Sequence, residues 1–190
     1  MIRSFNGRNP VVAPSAYVEK TAVVIGDVGI GEYSSIWFYA VIRGDIHHIR
    51  VGRRSNIQDH SVLHVRQGEG PVLIGEDVTV GHRAVLHGCT IADRVLIGMG
   101  AVVLDDAVVH EGSVIGAGAV VPPGMVVPPR SLVVGTPGRV KRAVRDQEFE
   151  WILRSAEHYV EYARRYRAED AVRAGGSTGG AEGEDVHAAS

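Results

Sequence analysis

Residues 91–121 read IADRVLIGMGAVVLDDAVVHEGSVIGAGAVV, and within them an aliphatic residue returns at Ile91, Ile97, Val103, Val109, Ile115 and Val121. Every step is six. The series runs on to Val127 and Val133. Upstream it holds at Ile74, Val80 and Leu86, at Val51, Ile57 and Leu63, and from Val12 through Val18, Val24, Ile30 and Ile36 to Ile42. Three joins break it: GDIHHIR at 44–50, VRQGEGPVL at 65–73, and a step of five from Leu86 to Ile91. A period of six matches neither the 3.6 of an amphipathic helix nor the 2 of a half-buried strand. It matches a solenoid in which each hexapeptide is one short strand and one corner. The aliphatic residue turns to the axis and a small residue makes room at the bend. Three strands would close a triangular coil of about eighteen residues. A β-sandwich would instead show turn signals every 8–12 residues and no fixed step. The expected fold class is an all-β solenoid, a parallel β-helix of hexapeptide repeats.

The repeat fades near Thr136. The expected division is a β-helix over 1–136, a C-terminal α-helix over 137–173 packing on the solenoid, and a disordered tail over 174–190, where GGSTGGAEGEDVHAAS is of low complexity. Asp146 is positioned to cap that helix, with Glu148 and Glu150 in its first turn. Phe149, Ile152, Leu153, Ala156, Tyr159, Val160 and Ala163 fall at helical spacing and form one apolar stripe.

Composition narrows the function. The 190 residues suffice for one domain with a real core. A net charge of −2 lacks the basic footprint that nucleic acid or an anionic membrane surface demands. No apolar run approaches the roughly 20 residues of a membrane helix, and MIRSFNGRNP has no signal-peptide core. A single cysteine, Cys89, cannot form an internal disulfide and suits a reducing cytoplasm, the expected location.

The register then sorts the histidines. His64 follows Leu63 and His87 follows Leu86, and those leucines are three rungs, one full coil, apart. The two imidazoles therefore share one column, separated by one strand spacing of about 4.8 Å, and both point outward. His82 follows Val80 by two residues, on the preceding rung and a different face. A threefold trimer would let His82 of a neighbouring chain complete the pair. Three imidazole nitrogens with a fourth position open is the catalytic zinc pattern. The competing reading is a set of polar residues in an interface. Arg43 extends the His64–His87 column upward, with Asp45 two residues on, and Gln58 and Asp59 follow Ile57. Arg43 and Asp45 are expected to pair across subunits. Asp59 would hold a ligand histidine's second nitrogen or join that network, and Gln58 would hydrogen-bond the nucleophile. A solvated surface network is the alternative for these four. His47 and His48, in the first insertion, would ferry protons or stand solvated in a loop. Cys89 is expected to pack; His110, His158 and His187 have no partner constellation.

RGD at 43–45, NIQD at 56–59, SVLH ending at His64, and GHRAVLHGC holding His82 and His87 together resemble the γ-class carbonic anhydrase family, over about residues 10–165. The resemblance implies a left-handed β-helix, a homotrimer with three interface metal sites, and two histidine ligands from one chain with a third from the next. It implies Zn2+, replaceable by Fe2+ or Co2+, and reversible hydration of CO2 to bicarbonate by a metal-bound hydroxide. Gln58 and Asp59 match the family's active-site polar pair, Arg43 and Asp45 its trimer-stabilising pair, and Tyr159 a tyrosine of the C-terminal helix near the site. The chain departs from the archetypal active members in two places. Ile46 stands where they carry a glutamate after RGD, and the insertion after the first ligand is the short VRQGEGP, with Glu69 its only acid. Hydration without a proton shuttle would be slow. Other functions open to such a chain are a metal-dependent hydrolase or thioesterase on the same site, a hexapeptide-repeat acyltransferase, and a non-catalytic metal-binding trimer.

Overall fold

The structure is a computed structural model and describes residues 1–68 and 70–175. Glu69 and the greater part of the expected tail, residues 176–190, lie outside the described residues. The chain winds as a parallel β-helix. Strands one coil apart pair in register, Thr79–Val80 between Asn56–Ile57 and Leu96–Ile97, and Val85–His87 between Val62–His64 and Val102–Val103. The aliphatic residue of each hexapeptide is the one that faces inward. Ile42, Ile57, Leu63, Val80, Leu86, Ile97 and Val103 are fully buried in one continuous core. Burying each such side chain is worth roughly 1.5–3 kcal/mol, so this column is the main stabiliser of the fold.

The corners follow one rule. The residue three places after an inward aliphatic adopts left-handed backbone. It is Tyr33, Tyr39, Arg54, His60, Asp77, Arg83, Arg94, Asp106 or Arg130, at φ between 54° and 61°, and glycine at Gly100, Gly112, Gly118 and Gly124. Left-handed backbone costs a side-chain-bearing residue roughly 1–2 kcal/mol. The coil offsets the cost by giving that residue's N–H a carbonyl on the coil above, as in Arg54 to Glu32 (2.9 Å), His60 to Phe38 (2.9 Å) and Arg94 to Glu76 (2.8 Å). The next residue is the small buried one expected at the bend. At Ser34, Ser55 and Ser61 its hydroxyl donates to the coil below, to Gly52 (2.6 Å), Gly75 (2.8 Å) and Gly81 (2.9 Å).

Two strands, Val23–Ile30 and Val41–Val51, run unbroken round a corner, so two faces of the prism form a single 12-stranded sheet and the third face an 8-stranded one. The first insertion is therefore no loop. Gly26 pairs with Gly44 and Val28 with Ile49, so Asp45 to His48 bulge outward within the strand, opposite Asp27. The second insertion is closed by an antiparallel bridge between Arg66 and Gly70.

The C-terminal helix begins at Asp146, not at 137, and runs Asp146–Gly175. Residues 137–145 carry instead a strand, Arg139–Ala143, laid antiparallel on Ser131–Val134. The start is set by Glu148. Its carboxylate reaches back to the backbone N–H of Arg145 (2.8 Å) while Arg142 grips both its oxygens (2.7 and 2.8 Å), which is the acidic half of a capping box. Asp146, the expected cap, is already inside the helix and binds Arg130 at 2.7 Å. Ile152, Ala156 and Ala163 are buried against the 8-stranded face, and Tyr159 and Tyr166 meet Trp37 edge-on at 5.5 and 5.2 Å. Among the described residues no helix is long and apolar enough to cross a membrane.

Candidate metal centre

Arg43, His64 and His87 form one vertical column: Arg43 pairs with His64 in the β ladder and His64 with His87. The inward neighbours Ile42, Leu63 and Leu86 fix this, because side chains alternate along a strand. His64 Nδ1 lies 3.1 Å from His87 Nε2. The far nitrogen of each ring meets a carboxylate, His64 Nε2 at 3.1 Å from Asp45 Oδ1 and His87 Nδ1 at 2.6 Å from Asp105 Oδ1. Asp45 also accepts from the Arg43 guanidinium and from the backbone N–H of Ile46 (3.0 Å). Burial would raise the Asp45 carboxyl, but its bonds from Arg43 and His64 prevail and hold it below the usual carboxylate range. Burial, then the Arg43 charge, holds the His64 imidazole below its ordinary value against the pull of Asp45. Arg43 and Asp45 pair within one chain, where the sequence reading placed a pair between subunits.

His82, expected on a different face, stands at the corner between Thr79–Val80 and Val85–His87, at the opposite edge of the face that carries the pair and five residues before His87. Its Nδ1 lies 2.9 Å from Asp59 Oδ2, so its Nε2 is left free. Among the described residues of the single chain no three His, Cys, Asp or Glu side chains gather closely enough to hold a metal ion. Between His82 and the His64–His87 edge the face carries an outward column of valines: Val23, Val41, Val62, Val85, Val102 and Val120, all in register and half-buried.

The donor set fits a cation. A carboxylate on the far nitrogen favours the tautomer that carries the ring proton on that side, which would leave the facing nitrogens of His64 and His87 as lone pairs. Two acceptors 3.1 Å apart repel unless something positive lies with them. Two nitrogens each about 2.0–2.1 Å from one tetrahedral ion would themselves sit roughly 3.3 Å apart.

Gln58 is buried, and its Nε2 donates to Asn56 Oδ1 (3.1 Å). Asn56 in turn donates to Thr79 Oγ1 (3.0 Å), and Thr79 donates to Ser155 Oγ on the helix (3.2 Å). Tyr159 is half-buried near Asp59. Burial first, then the Asp59 and Tyr162 charges, push its phenol up to about 12, so it is a neutral hydroxyl. Cys89 is buried and its thiol is pushed up to about 12 by burial, which suits packing rather than ligation. His47 and His48 lie on the bulge, half-buried rather than solvated. They line a cavity of about 730 Å3 together with Asp45, Arg8, Asp27 and Gln67. Asp105 and the Asn56–Thr79–Ser155 chain went unread in the sequence. Asp105 falls eighteen residues after His87, one beyond the seventeen that set Leu86 opposite Val103, so the register alone does not single it out.

The bacterial transferase hexapeptide (six repeats) family model matches residues 71–103 and 88–123, which agrees with a left-handed β-helix of such repeats. A protein of Methanocaldococcus jannaschii named "Probable carbonic anhydrase" is 52% identical over 150 residues, 79% of this chain and 94% of that one. "Gamma carbonic anhydrase 1, mitochondrial" of Arabidopsis thaliana is 43% identical over 167 residues, 85% of this chain. The chain spans only 61% of that relative's length. Among solved structures, a Bacillus cereus protein described as a putative acetyltransferase superposes with a TM-score of 0.86 at 40% identity, covering 88% of this chain and 96% of that one.

Proposed function

Because this chain belongs to the γ-class carbonic anhydrase family, we propose that it catalyses the reversible hydration of CO2 to bicarbonate at metal ions shared between adjacent subunits of a homotrimer. The observation that carries this reading is the His64–His87 pair, whose nitrogens face each other 3.1 Å apart while carboxylates hold their other sides. His64 and His87 of one subunit and His82 of the next would hold Zn2+, or Fe2+ or Co2+ in its place. The valine column supports the trimer. It is an apolar face with half a site on each edge, so packing that face around a threefold axis buries the valines and brings the halves together. Bound there, such an ion would supply an acidic water with a pKa of about 7, a value for which carbonic anhydrase is itself the reference case.

The chain's own residues do the rest. Gln58 has an amide hydrogen committed to Asn56, which fixes the carboxamide, so its oxygen is available to accept from a hydroxyl and orient the attack on CO2. Tyr159, neutral, offers a hydroxyl beside Asp59. Asp59 orients His82. Hydration of CO2 to bicarbonate releases one proton, which must pass to solvent. We place the protein in the cytoplasm, where a lone buried thiol stays reduced.

The test is metal analysis of gently purified protein joined to stopped-flow CO2 hydration, with zinc and with iron under anaerobic conditions. Stoichiometric metal and metal-dependent hydration, both lost in His82→Ala, are expected. The description of the Bacillus cereus structure raises acyl transfer as a second reading. An acyltransferase would bind no stoichiometric metal and would turn over an acyl-CoA, and that result would replace the present reading.

A further inference from the structure

Asp105 approaches His87 from the coil below, and its path crosses Gly88. A Cβ placed on Gly88 would lie 2.3 Å from Asp105 Oδ1, closer than such atoms come, with Asp105 Cγ at 3.3 Å and Arg66 Cβ at 3.4 Å beyond it. The backbone at Gly88, φ +54°, does not itself demand glycine, since Asp77 and Arg94 hold the same angle with full side chains. What sets Gly88 apart is the space the carboxylate fills. The next residue, Asp106, turns the other way and binds Arg66 at 2.9 Å, so Asp105 alone is given to the imidazole.

We propose that Asp105 is the positioning residue of the His87 ligand and that Gly88 is there to admit it. By accepting from Nδ1–H, Asp105 fixes the tautomer that leaves His87 Nε2 bare toward His64 and strengthens that nitrogen as a donor. Asp45 does the same for His64, and Asp59 Oδ2 stands 2.9 Å from His82 Nδ1, so each histidine has a carboxylate beside it. The role in metal binding rests on the shared-ion reading above; the role in fixing the ring does not.

Two readouts separate these. In metal-free protein, ring 15N chemical shifts report the His87 tautomer: the Nδ1–H form is expected in the wild type and a tautomer mixture in Asp105→Ala. With zinc, chelator competition should show a 10–100-fold loss of affinity in Asp105→Ala. A smaller loss is expected in Asp105→Asn, which keeps an acceptor without the charge and guards against a folding artefact. Gly88→Ala should lose affinity like Asp105→Ala, and adding it to Asp105→Ala should cost no further affinity, because the clash is then gone. Losses that simply add would show that Gly88 serves the backbone alone, and would overturn its half of the proposal. Unchanged shifts in Asp105→Ala would overturn the positioning role outright. A wild type that takes up no zinc would instead sink the shared-ion reading, and the metal-free shifts would still decide for or against Asp105.

Discussion

Val85 lies directly opposite Val62 on the neighbouring coil, and both side chains turn outward while Leu86 and Leu63 beside them are fully buried. The pair sits midway along the outward valine column. Val85→Lys would put a charge where the proposed trimer is driest, and an unpaired buried charge costs several kcal/mol. Monomers with an unchanged far-ultraviolet circular dichroism spectrum are expected by light scattering, because the lone coil leaves position 85 half-exposed. Intact trimers in this variant would show that the valine face is not the contact.

Thr79 joins the Gln58 corner to the helix. Thr79→Val keeps the shape but removes the acceptor for Asn56 and the donor to Ser155, in a place that is almost fully buried. An unsatisfied buried amide costs about 1–3 kcal/mol. Urea unfolding should show a loss of that size, and Ser155→Ala, which spares Asn56, a smaller one. Equal losses would mean the chain acts only through the helix.

Glu148 should leave a signature in acid. Its bonds from Arg142, then from the Arg145 backbone, hold its carboxyl at about 2, below the ordinary 4.5. A depressed carboxyl stabilises the fold above its unfolded value, and that contribution is lost as pH falls from about 4.5 towards 2. Melting temperatures measured across this window should fall less steeply for Glu148→Gln than for the wild type. Parallel curves would place the acid sensitivity elsewhere.

Proton release should limit hydration. Ile46 is exposed beside the site and carries no proton. His47 Nδ1 already accepts from the backbone N–H of His48 (2.8 Å), so that lone pair is engaged within the bulge. His48 is held below its ordinary value by burial, then by the Arg50 and His47 charges. Hydration by the metal-loaded protein is therefore expected to rise with imidazole concentration at fixed pH and ionic strength. A rate flat across that series would show that an internal group carries the proton.

The six-residue step was enough to place Leu63 above Leu86, and therefore His64 above His87, because one register fixes every side chain on a stacked coil. It also placed His82 away from them. It did not show which residues take the left-handed corners, since Tyr33, Arg54 and Asp77 look like ordinary surface residues until the coil supplies their hydrogen bonds. The bulge at 45–48 looked like an interruption because its extra residues are hidden from a count of aliphatics, although the strand continues through them. Asp105 was missed because the count followed histidines and the upper coils, while its role depends on a space opened by Gly88 that spacing alone does not reveal.

A stack whose turns touch only their neighbours should peel from its ends. Here the helix starts at the last turn, with Asp146 on Arg130, and climbs the flank until Arg167 reaches Pro14 and Asp170 reaches Lys20 on the first. Top and bottom are thus bound by one strap, and neither end can unravel without first shedding the brace that also anchors the other. Loss of structure should then be abrupt and shared by the whole column, instead of a gradual melting inward from loose extremities.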